Sequence, residues 1–180
     1  MTGNDHFARL PDAPWFTVTS ADAADGEPFA AAQMSGAFGV PGGEDLSPQL
    51  SWSGAPAETK SYAVTMHDPD APTGSGFWHW AVADIPADVT ELPSGAGAAG
   101  GSNLPKGAFQ LRNDGGSVSF IGAAPPAGHG KHRYFIVVHA LDVDKIGVPA
   151  DATPAFLGFT IGSHILARAV LVPTAEITAT

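Results

Sequence analysis

The 180-residue sequence has no cysteine. That one absence excludes disulfides, thiolate-ligated zinc, iron–sulfur clusters and cysteine nucleophiles. Charge is scarce as well. Only 14% of residues are Asp, Glu, Lys or Arg, and 18 acidic side chains outnumber 8 basic ones. The formal net charge of −10 repels phosphate backbones and anionic lipid surfaces, so no nucleic acid is expected as a partner. A recessed site with local donors is still open to a single anion. No apolar run approaches the roughly 20 residues of a membrane span, so no integral membrane association is expected. The first ten residues, with Asp5, His6 and Arg9, hold no apolar leader segment. A cytoplasmic protein is therefore expected, although a mature secreted chain that had lost its leader reads the same.

Uninterrupted helical pattern is the next thing missing. The 22 Gly and 16 Pro are spread along the chain, and helix interiors tolerate neither well. What remains is short β-patterned runs between turns. Residues 61–67 alternate Tyr62, Val64 and Met66 against Ala63, Thr65 and His67. Residues 78–85 are aromatic and β-branched and stop at Pro86, and residues 117–121 form a shorter run. Residues 134–141 (YFIVVHAL) are nearly all apolar, as expected of a strand buried on both faces. Weaker strands are read at 15–20, 49–52 and 169–172. The pattern predicts a mainly β, single-domain sandwich, with a few short peripheral helices. Those helices are a turn at 155–157, capped by Thr153 with Pro154 at its first position, and one over 164–171 capped by Ser163. Residues 94–107 (SGAGAAGGSNLPKG) look most like a linker but read better as a long loop within one domain. Gly95, Gly97 and Gly100 there match a dinucleotide fingerprint in spacing only, since no strand precedes them and no helix can follow.

Two segments carry candidate chemistry. In the first, a strand ending at His67 and another beginning at Trp78 flank Asp68-Pro69-Asp70-Ala71-Pro72. The prolines stiffen this turn, and a cis X-Pro bond would be one way to aim its carboxylates. Asp68 and Asp70 are ordinary turn formers, or a pocket pair with His79 as partner. Trp78 and Trp80 around His79 favour a half-buried pocket. In the second segment, Ala124-Pro125-Pro126 leads through Gly128-His129-Gly130-Lys131 to His132-Arg133-Tyr134 at the entrance of the apolar strand. His and Tyr offer switchable or neutral donors there. Arg133 reads first as a clamp on a turn carboxylate such as Asp70. The His and Asp spacings match no metal motif, so neither metal nor cofactor is expected.

In this order the two segments resemble the phosphatidylethanolamine-binding protein family, in its bacterial, Raf-kinase-inhibitor-like branch. The D-P-D-x-P turn is Asp68 to Pro72, with the following strand's His at His79. The G-x-H-R motif is Gly130-Lys131-His132-Arg133. Ser47-Pro48-Gln49-Leu50-Ser51-Trp52 and His139-Ala140-Leu141-Asp142 are also similar to family segments, and the resemblance covers roughly residues 14–172. It implies a β-sandwich with an anion pocket walled by Asp68, Asp70, His79, Ala124, Pro125, His132 and Tyr134. Arg133, Pro69 and Pro72 would frame it. It further implies a small anionic or zwitterionic ligand such as a phosphate or phosphoethanolamine head group, and a homodimer. A regulatory protein partner, a kinase or protease, is a third implication, although kinase inhibition itself belongs to particular eukaryotic members. Where many bacterial relatives have Cys before Pro125, this chain has Ala124. The alternative is an enzyme, an isomerase, cyclase or hydrolase, using Asp, His and Tyr for acid–base work.

Overall fold

The computed structural model describes residues 5–180; Met1 to Asn4, part of the stretch read for a leader, lie outside the described residues. Ten strands and one α-helix follow in the order β1 (Thr17–Thr19), β2 (Leu50–Ser53), β3 (Ser61–Asp68), β4 (Phe77–Pro86), β5 (Glu91–Leu92), β6 (Phe109–Gln110), β7 (His132–Arg133), β8 (Phe135–Leu141), α1 (Pro154–Ile161), β9 (Ile165–Leu171) and β10 (Thr174–Ala175). Strands β6-β4-β3-β8-β9 make a five-stranded antiparallel sheet, β1-β2-β5 a three-stranded one, and β10-β7 a short ribbon.

Period-two alternation explains how the sheets stack. The even residues Tyr62, Val64 and Met66 of β3 join Trp80 and Val82 of β4, and Ile136 and Val138 of β8, against Leu50, Trp52 and Leu92 of the smaller sheet. This is the main sandwich core. On the other face, Ala63, Ala81, Ala83 and Leu141 pack against Ile146, Val148, and Leu157 and Ile161 of α1. Both faces of β3 and β8 are thus covered, which is why their sequences read as nearly continuous buried runs.

Thr153 caps α1 as expected: its side chain accepts from the Phe156 N–H, and Pro154 follows it. The helix extends beyond the expected turn, to Ile161. The second expected helix, over 164–171, is instead strand β9, and Ser163 caps no helix. Helical spacing of Ile165, Leu166 and Ala169 is outweighed by pairing with β8, from Ile136↔Leu171 to Leu141↔Ile165. Residues 117–121 do not form a strand; Phe120 and Ile121 donate singly to the Gly97 and His79 carbonyls. The 94–107 loop is anchored to the sandwich at Ala96 and Gly97. Gly97 donates to the Ser47 hydroxyl, and an added Cβ there would sit 2.5 Å from Phe120.

Candidate functional site

Three chain segments converge at one end of the five-stranded sheet. The first is the end of β3 and its turn. Asp68 is buried, and its Oδ1 accepts the backbone N–H groups of Asp70 (2.8 Å) and Ala71 (3.0 Å). This is the Asx turn expected of Asp-Pro-Asp. No cis peptide bond occurs among the described residues, so the aim of the carboxylates comes from these hydrogen bonds. Gly76 closes the turn at φ 69, where a Cβ would meet the Asp68 carbonyl at 2.5 Å.

The second segment is β4. Its register against β3 slips by one: Met66 faces Trp80, but His67 faces Trp78. His79 is the extra residue, and the bulge turns it from strict alternation toward Tyr134, 5.3 Å away between ring centroids. The His79 Nδ1–H donates to the Ile121 carbonyl at 2.9 Å, leaving Nε2 as an acceptor. Burial holds the ring neutral, with its pKa lowered to about 4.

The third segment is the loop into β8. His132 is buried, and its Nδ1–H donates to Asp68 Oδ2 at 2.7 Å. Its Nε2 lies 2.7 Å from Nδ1 of the exposed His129. Tyr134 is fully buried, yet its hydroxyl has no hydrogen-bond partner. Burial, with the charges of Asp68 and Asp70, raises its pKa, so it is a fixed O–H donor.

Asp68, Pro72, His79, Ala124, Pro125, His132 and Tyr134 line one cavity of about 170 Å³. Asp70, Arg133 and Pro69 do not line it. Asp70 instead grips Arg133: Oδ2 accepts Nε at 2.8 Å and the backbone N–H at 3.0 Å, and Oδ1 accepts a terminal nitrogen at 2.8 Å. Burial alone would raise the Asp70 pKa, but the Arg133 hydrogen bonds and charge hold it below the usual carboxylate value. Arg133 thereby ties β7 to the turn after β3. Pro69 faces a second hollow with His67 and Gly76.

Pro126, beside Pro125, completes the cavity lining on that side, and the cavity also has walls that the sequence did not single out: Phe38, Ala71, Thr73 and Phe77. Phe38 comes from a distant loop and packs against Phe77, 6.2 Å between rings, a contact no local pattern announces. Thr73 offers no free nucleophile, because its hydroxyl donates to the Gly76 carbonyl. Among the described residues, no three His, Asp or Glu side chains are grouped to hold a metal ion, and no helix is long and apolar enough to cross a membrane.

The sequence has informative relatives. The protein YbcL of Escherichia coli is 47% identical over 162 residues, which is 90% of this chain and 88% of YbcL. The YbcL crystal structure superposes with a TM-score of 0.88, covering 91% of this chain and 99% of that one at 46% identity. A phosphatidylethanolamine-binding protein homologue of Chlamydia trachomatis, CT736, gives 0.74 at 28% identity, again covering 91% and 99%. A putative lipoprotein of Mycobacterium tuberculosis, LppC, is 32% identical over 96% of this chain and 78% of its own length. The family model for phosphatidylethanolamine-binding proteins matches residues 19–176. With the turn, the bulged histidine and the G-x-H-R loop meeting around one cavity, the chain belongs to the phosphatidylethanolamine-binding protein family.

Proposed function

We propose that the protein binds one small oxygen acid, a phosphate monoester or carboxylate head group, in the cavity between Asp68, His79, His132 and Tyr134. The carrying observation is the Tyr134 hydroxyl, a fully buried donor on the cavity wall without a partner. Leaving such a group unsatisfied costs about 1–3 kcal/mol, and a ligand oxygen accepting from it removes that penalty. His79 Nε2 complements it as an acceptor. No Lys or Arg lines the cavity. The pairing of one donor with one neutral acceptor suits an acid that keeps a proton, P–OH or COOH, better than a fully ionised dianion.

The size of the cavity supports a head group and not a chain, and the half-exposed Phe38 at its rim offers apolar surface to whatever the head group is attached to. The Asp68 oxygens are engaged by two backbone N–H groups and His132, so Asp68 orients His132 and is poorly placed as the main acceptor for a ligand ammonium. Binding fits better than nucleophilic catalysis because neither hydroxyl on the wall is paired with a base: Thr73 is tied to Gly76, and Tyr134 has no partner.

Calorimetric titration with inorganic phosphate and with phosphoethanolamine tests this reading. Saturable one-site binding is expected, weakened at least about tenfold in Tyr134→Phe, the loss of one buried hydrogen bond. No binding of either compound, or equal affinity in Tyr134→Phe, overturns it.

A further inference from the structure

The two imidazoles of the second motif form a chain that ligand orientation alone does not require. The backbone N–H groups of Asp70 and Ala71 donate to Asp68 Oδ1. His132 Nδ1 donates to Asp68 Oδ2 at 2.7 Å, and His132 Nε2 meets His129 Nδ1 at 2.7 Å. His132 is 1% exposed, whereas His129 stands in solvent. The chain therefore runs from bulk water, through two rings, to a buried carboxylate beside the cavity.

Its geometry is held from outside the loop. Gly128, next to His129, donates to the Ile177 carbonyl at 2.8 Å, and His132 pairs with Ala175 across the β10–β7 ribbon. The C-terminal segment thus fixes both ring positions. The rings meet at 66° with centroids 5.0 Å apart, so the contact is an in-line nitrogen–nitrogen hydrogen bond and not a stack.

We infer that His129 is a positioning residue for the cavity: by donating to His132 Nε2 it reinforces the tautomer that Asp68 selects, and it carries protons between water and the Asp68–His132 pair. In the neutral chain, Asp68 accepts from His132 Nδ1–H, and His132 Nε2 accepts from His129 Nδ1–H. A proton arriving from water at His129 Nε2 makes that ring an imidazolium. Its Nδ1 proton then passes to His132 Nε2. One proton has entered, His129 is neutral again with Nε2–H, and the positive charge rests on His132 beside the carboxylate. No buried ring has to reach solvent. The chargeable groups around the pair are Asp68 and Asp70 from the turn, His79 from β4, Arg133 and Tyr134 beside it, Lys131 in the loop and Glu176 next to its ribbon partner. An anion in the cavity would then meet a cation made on demand.

Only the ligand arm of the test rests on the function proposed above. In ligand-free protein, nitrogen-15 shifts of the histidine rings are followed against pH. In the wild type the two rings are expected to titrate as one coupled system, each showing both steps. His129→Asn keeps a donor near the Nδ1 position but cannot relay. His132 should keep its Nδ1–H tautomer there and titrate in one step, displaced by at least about half a pH unit. In His129→Ala the tautomer preference should weaken too. Identical His132 titrations in all three proteins overturn the relay. The second arm measures proton uptake on phosphate binding, by calorimetry in buffers of differing ionisation heat. About one proton is expected in the wild type below neutral pH, and about half that or less in both variants. Unchanged uptake in both variants likewise overturns it. If phosphate fails to bind even the wild type, the binding function falls, and the ring titrations still decide the relay.

Discussion

His67 and Asp68 are neighbours in sequence, yet they supply two different histidine clusters on opposite faces of one sheet. Asp68 belongs with His79, His132 and Tyr134 on the face that continues into the sandwich core. His67 belongs with Trp78, Phe135 and His6. On this second face the rings answer one another. His67 Nε2 donates to the Ser75 carbonyl at 3.0 Å, its Nδ1 meets His6 Nδ1 at 3.1 Å, and His6 stacks on Phe135 at 5.0 Å. Burial lowers the pKa of both, His6 to about 4. A hollow of about 400 Å³ lies beside them, larger than the first cavity, but the His67 nitrogens on its wall are already engaged. Composition therefore does not separate a site from a packed cluster. What separates them is an orphaned donor on a cavity wall: the Tyr134 hydroxyl is one, whereas the His67 ring is engaged and the unpartnered Arg168 Nε and His139 Nδ1 line neither cavity.

The harshest way to break this contrast is Asp68→Ala. It strands the His132 ring and two turn N–H groups in a buried place, and should cost about 3–5 kcal/mol of stability in urea unfolding. A loss below about 1 kcal/mol would mean that the turn does not depend on its carboxylate.

Acid comes next and touches both faces. His79 is held at about 4 on the cavity face, and His139 at about 3 under the opposite one. The unfolded chain, with ordinary histidines near 6.5, binds protons that these folded rings refuse. Stability is therefore intact above about pH 6.5, falls as the pH drops toward about 4, and levels off for each ring once that ring protonates in the fold. His79 alone contributes a loss on the order of 3 kcal/mol, read from urea midpoints between pH 7 and 4. The same curve in His79→Gln should be visibly flatter. An anion affinity rising steeply near pH 6.5 cannot come from His79, whose ring is held near 4.

Tyr134→Phe sharpens the contrast in the opposite sense. It should weaken phosphate binding at least about tenfold while leaving the unfolding midpoint unchanged or slightly raised, because an unsatisfied hydroxyl is removed. The smallest effect belongs to His67→Gln, with a cost of about 1 kcal/mol from the lost ring contacts and no change in phosphate affinity. Equal affinity losses in these two variants would erase the distinction between the faces.

Much of the site was legible because its parts are local. Asp68 in an Asx turn and the apolar run of β8 follow from short-range chemistry. Thr153 and Pro154 announced α1 in the same way. Residues 164–171 misled because Ile165, Leu166 and Ala169 fall at helical spacing, and pairing with a neighbour 24 or more positions away decided otherwise. His79 carried a similar ambiguity. Alternation from Trp80 assigns it to the far face, and only the bulge opposite β3 turns it to Tyr134. Phe38 reaches the rim across a loop closure that no window of sequence contains.

By itself, then, the sequence determined the absence of thiol chemistry, the excess of negative charge, the β-rich pattern and the stiff turns that hold Asp68 and His132. These are properties of residue types and of neighbours along the chain. Only the tertiary structure decided which carboxylate faces the cavity, which histidines are spent on each other and that one tyrosine hydroxyl has no partner. Those outcomes depend on strand register and on which distant backbone groups arrive first at each donor, and both are settled by packing.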